Sequence, residues 1–300
     1  MKKILFPTFN RVHEARQGLL LEELSREFEI HISTYGEKKL KMSEVAVDIA
    51  GKFQNALNQI KPDLALLRGD RYEILVPAML CAYNNIPIAH IEGFDLSGVI
   101  DQRVRYAVSY LSDYHFVTND ESYQRALSMG FKNVWNEGSL DCEYALSVKP
   151  LKLRSNPYIL VLWHPTPEEP GNELYEAIKA FPDYEIVGIR GNKDYGIESS
   201  YKEEYPPDEF INLLRGASCV VGNSSCLIKE CSVLSVPCVL VGERQKNRLR
   251  PKNVKDAEYD KEDIEYCIKK QFHYDKGVDL TYYKPDCSKR ISDIITSLVG

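Results

Sequence analysis

The sequence predicts an α/β protein of two doubly wound parallel-sheet domains with a cleft between them. Three observations carry this. Short apolar runs such as Ile4–Thr8, Asp63–Leu67, Ile86–Ile91, Tyr158–Leu162 and Pro237–Val241 recur along the chain. They are continuous rather than alternating, as strands covered on both faces require. Each is followed by an amphipathic stretch, and strand–helix alternation winds a parallel sheet. The length, 300 residues, suits two domains of about 150 residues.

Taken in order, Ile4–Thr8, Phe28–Ser33, Asp63–Leu67, Ile86–Ile91, Tyr114–Thr118 and Asn133–Glu137 read as strands of a first sheet. Helical patterns cover Glu14–Glu27, Ser43–Ile60, Arg71–Asn84, Val99–Ser112 and Glu121–Met129. Two prolines and several polar residues in Lys149–Pro157 interrupt the rhythm and read as a linker. The first domain is therefore expected over 1–150 and the second over 151–300. Tyr158–Leu162, Glu185–Ile189, Ser218–Val221 and Pro237–Val241 read as strands of the second sheet. Its helices are expected near Asn172–Phe181, Pro207–Arg215, Cys226–Leu234, Lys261–Gln271 and Ser288–Leu298. The last of these is free to pack back on the first domain.

Composition narrows the function classes. A formal charge of −6 argues against nucleic acid, whose binding rests on a basic surface. No apolar run approaches the roughly 20 residues a membrane span needs. Met1–Pro7 reads as a buried first strand rather than a signal peptide. The eight cysteines are scattered without a Cys-x-x-Cys pair, so neither a zinc site nor a disulfide scaffold is expected. Buried thiols suit a reducing cytoplasm.

In doubly wound folds, ligands bind outside the carboxyl ends of the strands. The residues just after each strand therefore matter most. Asp70, in Gly69-Asp70-Arg71-Tyr72-Glu73, stands where a helix begins, as an N-cap or as an acid of a site. Glu92, in His90-Ile91-Glu92-Gly93-Phe94-Asp95, ends an apolar strand, where packing gives no reason for a charge. His90 reads as a core histidine. Asp101 and Arg105 lie one helical turn apart and share a face, as a surface ion pair or as part of the same crevice. Three acids on successive loops suit proton transfer.

In the second half, His164 follows a strand and precedes Pro165-Thr166, placed to meet a phosphate or to donate a proton. Gly222-Asn223-Ser224-Ser225-Cys226 is a small-residue turn into a helix, with amides and hydroxyls that suit an anion. Glu230 follows one to two turns later. Arg244, Lys246 and Arg248 form a basic cluster in an acidic chain. The dinucleotide fingerprint GxGxxG and the phosphate loop GxxxxGK are absent from the sequence.

This ordered set of motifs resembles the UDP-N-acetylglucosamine 2-epimerases, especially the hydrolysing branch that makes N-acetylmannosamine for sialic-acid-type pathways. The resemblance runs from about Lys61 to the C-terminus and is dense over 66–142 and 218–250. It implies a fold of the glycosyltransferase-B type, two Rossmann-like domains with UDP held between them. It places Asp70, Glu92 and Asp101 in the acid and base roles, with His164 stabilising the departing diphosphate. Asn223, Ser224, Ser225, Arg244 and Arg248 fall on the nucleotide side, with Glu230 at the ribose. Arg11 resembles an early phosphate-side arginine, and Arg71 and Arg105 fall on the substrate side. The implied partner is a UDP-sugar, with no metal or other cofactor, and the implied assembly is a homodimer.

Three departures from the family stand out. Gln102 occupies a place where an acid is usual, and glutamine cannot exchange a proton as a carboxylate does. Asp101 then takes that role, or the chemistry changes. Phe94 replaces a usual glycine and is expected to add bulk beside the sugar pocket. The stretch from Thr8 to Arg68 is shorter than in the family by roughly one βα unit, about 30 residues. Two other functions follow from these changes: a glycosyltransferase of the same fold with a UDP-sugar donor, or a non-catalytic sugar-nucleotide binder.

Overall fold

Successive strand residues point to opposite faces, and here both faces are apolar, so each sheet needs helices on both sides. The computed structural model, which describes residues 1–9, 14–35, 42–191, 200–201, 203–275 and 277–300, has this arrangement. Its residues divide into two compact units. The first comprises Met1–Asp95, Ile100–Glu143 and Tyr283–Gly300; the second comprises Leu96–Val99 and Tyr144–Tyr282. The linker expected at 149–157 thus lies inside the second unit, and the C-terminal residues from Tyr283 belong to the first.

The first unit holds β1 (Lys3–Thr8), β2 (Glu29–Thr34), β3 (Leu64–Arg68), β4 (Ile88–Ile91), β5 (Tyr114–Val117) and β6 (Val134–Asn136). They pair in parallel in the order β2-β1-β3-β4-β5-β6. Ile4, Phe6, Leu64 and Leu66 face α1 (Gly18–Leu24) and the C-terminal helix α11 (Cys287–Val299). Leu5, Ala65 and Leu67 face the opposite layer, α2 (Met42–Ile60), α3 (Leu75–Tyr83) and α4 (Asp101–Leu111). α5 (Asp120–Ser128) starts at Asn119, whose side chain accepts from Ser122 N–H. α6 (Leu140–Ser147) was not expected; its apolar residues do not recur on one face. The expected Arg71–Asn84 helix begins as a 3-10 turn, Tyr72–Ile74, before α3.

The second unit holds β7 (Tyr158–Leu162), β8 (Glu185–Ile189), β9 (Cys219–Gly222), β10 (Cys238–Val241) and β11 (Val254–Ala257), in the parallel order β11-β10-β9-β7-β8. Ile159, Val161, Val221 and Val239 pack under α7 (Asn172–Ala177) and α10 (Lys261–Gln271). α8 (Pro207–Gly216) is a further helix of this unit. β11 was missed because Val254-Lys255-Asp256-Ala257 is an edge strand with polar residues at its centre, a common way of blunting an edge. The helix expected over Cys226–Leu234 is a 3-10 turn, Ser225–Leu227, and the short α9, Glu230–Val233.

Candidate functional site

Where neighbouring parallel strands send their chains to opposite faces of a sheet, the loops part and leave room for a ligand. In the first unit this switch falls between β1 and β3, and in the second between β7 and β9. The loop after β3 is Gly69-Asp70, the loop after β7 begins at Trp163-His164, and the loop after β9 is Asn223-Ser224-Ser225. Asp70, His164 and Asn223–Ser225 therefore stand at the two switch points. Arg11, after β1, lies outside the described residues.

In the first unit, two of the three candidate acids, Asp70 and Glu92, are ion-paired to buried arginines. Asp70, partly exposed, forms an ion pair with Arg105, whose side chain is 1% exposed. Arg105 also donates to the Asp95 carbonyl. Its guanidinium thus reaches Asp70 from one turn beyond Asp101, which opens α4 with Gln102 beside it. The structure thus ties Arg105 to Asp70. Arg71 likewise turns to Glu73, Nη2 to Oε1 at 2.6 Å.

Glu92 accepts from Arg68 Nη2 at 2.9 Å and from Ser139 Oγ at 3.2 Å. The same Nη2 lies 2.7 Å from Asp141, so one buried guanidinium serves two carboxylates. Burial works against the charge on Arg68, and the charges of Asp141 and then Glu92 overcome it and raise its pKa. Glu92 adopts φ +68 and Phe94 φ +63, two side-chain-bearing residues in the left-handed region around Gly93. Such strain persists only where surroundings over-determine it and clusters at functional sites. His90 is fully buried, with Nε2 2.8 Å from the Gly69 carbonyl and Nδ1 3.0 Å from Ser109 Oγ. Burial lowers its pKa to about 4, so it is a neutral core histidine that pins the turn before Asp70.

Phe94 corrects one expectation. Its side chain is fully buried with Val117, Ala126 and Val134, edge-on to His115 and Phe131. The added bulk fills the core of the unit rather than a sugar pocket.

In the second unit, the Asn223 side chain turns to His164. Its amide is fully buried and clamps the backbone of His164 on both sides. His164 N–H donates to Oδ1 at 2.8 Å, and Nδ2 donates to the His164 carbonyl at 2.9 Å. Asn223 therefore bridges the parted strands β7 and β9 and fixes His164. Gly222 permits this approach, since a Cβ there would lie 1.9 Å from the Leu162 carbonyl oxygen. Ser224 caps the following 3-10 turn, accepting from Cys226 N–H, and Ser225 opens that turn, half-buried. Arg244 and Gln245 both donate to the Asn223 carbonyl, at 3.2 and 3.1 Å. Arg248, mostly buried, donates to Gln245 Oε1. Glu230 is 1% exposed and sits in the interior of the unit.

Glu169 holds the other end of the basic loop. Its carboxylate accepts from Glu243 N–H at 3.0 Å, and at Gly242, with φ +73, a Cβ would lie 2.4 Å from it. Burial raises the Glu169 pKa, partly opposed by that hydrogen bond. Gly98, whose N–H donates to the Arg244 carbonyl, leaves room for the same loop. Among the described residues, no group of His, Cys, Asp and Glu is arranged to hold a metal ion, and no helix is long and apolar enough to cross a membrane.

The model of one family, UDP-N-acetylglucosamine 2-epimerase, matches residues 12–296. The chain belongs to that family. A GDP/UDP-N,N'-diacetylbacillosamine 2-epimerase (hydrolyzing) from Campylobacter jejuni is 28% identical over 284 residues, 80% of this chain and 73% of the relative. A UDP-N-acetylglucosamine 2-epimerase from Neisseria meningitidis is 31% identical over 236 residues, 69% of this chain and 63% of the relative. This 2-epimerase family member thus spans about two thirds to three quarters of the length of these curated relatives. The Methanocaldococcus jannaschii UDP-GlcNAc 2-epimerase in complex with UDP-GlcNAc and UDP superimposes with a TM-score of 0.86 at 16% identity, over 98% of this chain and 99% of that one. The fold is accordingly of the glycosyltransferase-B type.

Sequence reasoning found the motif residues of this 2-epimerase family member and passed over those that hold them. Arg68 carried a signal, a charge closing the wholly apolar strand β3. Asp141 and Glu169 carried none, because their partners lie far away in sequence.

Proposed function

We propose that the protein is a hydrolysing UDP-sugar 2-epimerase acting on UDP-N-acetylglucosamine or a modified relative. The observation that carries this reading is the pair of carboxylates, Asp70 and Glu92, on the loops after adjacent strands, each ion-paired to a buried arginine. An arginine partner favours the ionised carboxylate, the form that accepts a proton. Two such groups on neighbouring loops suit removal and return of one sugar proton. The hydrolysing relative, similar over 80% of this chain, supports water as the final acceptor.

In this reading a carboxylate takes the proton from C2. The C–H electron pair forms the C1–C2 double bond, and the C1–O bond breaks with its pair on UDP. Water then adds, its oxygen to C1, while a proton reaches C2 from the opposite face. UDP and the free 2-epimeric sugar result, N-acetylmannosamine when the substrate is UDP-N-acetylglucosamine. Asp70, Glu92 and Asp101 divide the acid and base roles. The C2 proton is weakly acidic, so departure of UDP needs help from preorganised positive potential. His164, Ser224, Ser225, Arg244, Arg248 and Arg11 are assigned that task.

The test is proton NMR of purified protein with UDP-N-acetylglucosamine. UDP together with free N-acetylmannosamine is the expected product pair. Folded protein that binds UDP and releases neither product would refute this reaction. UDP release that needs an added sugar acceptor would turn the reading to a glycosyltransferase.

A further inference from the structure

We propose that Asp141, through Arg68 and Ser139, is a positioning residue that fixes the Glu92 carboxylate for proton transfer. This inference rests on the reading of Glu92 given above.

Glu92 lies one residue past β4, on a backbone turn at φ +68 that a glutamate does not favour. Its carboxylate sits at that turn because two partners hold it, Arg68 Nη2 at 2.9 Å and Ser139 Oγ at 3.2 Å. Both partners are themselves held by Asp141. Its carboxylate lies 2.7 Å from the same Arg68 Nη2, and its backbone N–H donates to Ser139 Oγ at 3.2 Å. Arg68 is further fixed by Gln17, whose amide oxygen accepts from Nη1 at 2.9 Å and Nε at 3.0 Å in the orientation that satisfies both side chains. Arg16 Nη1 stands 3.5 Å from Asp141 on its other side.

The shared guanidinium also has an electrostatic consequence. An arginine devoted to one carboxylate compensates that charge fully. Arg68 Nη2 is shared between Glu92 and Asp141. Glu92 is thereby oriented without being neutralised outright, as a proton-accepting carboxylate must be. A purely structural salt bridge would need no second acid on the same nitrogen, since like charges so close in the interior repel.

The experiment is a double-mutant cycle on turnover of UDP-N-acetylglucosamine, with Glu92→Gln, Asp141→Asn and both together. The isosteric Asp141→Asn is expected to lower kcat by about 10- to 100-fold with KM nearly unchanged, the size of effect that a misplaced catalytic group produces. In the Glu92→Gln background it is expected to have almost no further effect, because its action passes through Glu92. The milder Ser139→Ala, which leaves every charge in place, is expected to lower kcat a few-fold with the same dependence on Glu92. Unfolding curves for each variant check folding. Glu92→Gln with full turnover would overturn the reading of Glu92 and this inference with it. Glu92→Gln that lowers turnover to a measurable residual level, with Asp141→Asn and Ser139→Ala at wild-type kcat, or losses equal in both backgrounds, would overturn the positioning role alone.

Discussion

Replacing Phe94 by alanine and by glycine should invert the usual order of stability. Phe94 is fully buried in its aromatic cluster, and removing such a side chain costs about 3–5 kcal/mol. Both variants pay that loss. They differ in the backbone: at φ +63 alanine retains a strain of about 1–2 kcal/mol that glycine lacks. Glycine gives back about 0.4–1 kcal/mol through its freer unfolded chain. The difference leaves Phe94→Gly more stable than Phe94→Ala by roughly 1 kcal/mol, although alanine is the better residue almost everywhere else. The first unit contains Trp135, stacked on Phe116, and the second contains Trp163. Urea unfolding followed by fluorescence in a Trp163→Phe background therefore reports the first unit alone. If the alanine variant proved as stable as the glycine variant, the strain argument would fail. A loss under 1 kcal/mol in both would refute the packing argument.

Asn223→Ala should leave the buried N–H and carbonyl of His164 without their amide, at about 1–3 kcal/mol each, read by Trp163 fluorescence in urea; kcat should fall with it. Stability should also fall as pH drops from 6.5 towards 4. Burial depresses His90 to about 4 and His115 to about 3, so below 6.5 the unfolded chain binds protons that the folded chain refuses. The His90 stabilisation, about 3 kcal/mol, is fully present above pH 6.5 and lost by about pH 4; His90→Asn should roughly halve the fall of the urea midpoint over that range, His115 supplying the rest. Deleting 283–300 strips Ile291 and Ile295 from the core of the first unit, about 3–6 kcal/mol of burial, and should abolish the cooperative Trp135 transition.

The strands were legible because burial on both faces writes an unbroken apolar run. Tyr158–Leu162, buried along its whole length, matches residue for residue. β11 was not legible, since a half-exposed edge strand such as Val254–Ala257 carries no such run. The helix expected at Cys226–Leu234 failed because an apolar stretch with small polar residues does not distinguish a regular helix from a 3-10 turn and a short helical piece. In the site, residues placed by strand ends were legible, since Asp70, Glu92, His164 and Ser224 follow β3, β4, β7 and β9. Side-chain direction was not. Phe94 points into the core because its backbone is left-handed, and Asn223 points at His164 because β7 lies beside β9. Neither fact is contained in local sequence.

The arrangement of arginines makes one further demand on energetics. Arg105 serves Asp70 and is anchored at the carbonyl of Asp95. The Asp95 carboxylate in turn accepts from Thr118, Asn119 and Ser122, so Asp70 is braced from the start of α5. Arg68 serves Glu92 and is braced from α1 and α6 through Gln17 and Asp141. Changes within one brace remove the same contacts and should couple; changes in different braces remove different contacts and should add. Unfolding free energies of Arg105→Lys, Asp141→Asn and the double variant should therefore sum within about 0.5 kcal/mol, whereas Glu92→Gln and Asp141→Asn should deviate from additivity by about 0.5–3 kcal/mol. A large deviation in the first pair would mean that the two acids share one support. A chemistry that asks one group to take a proton and another to return it is better served by two, because each carboxylate can then change charge without dislodging the other.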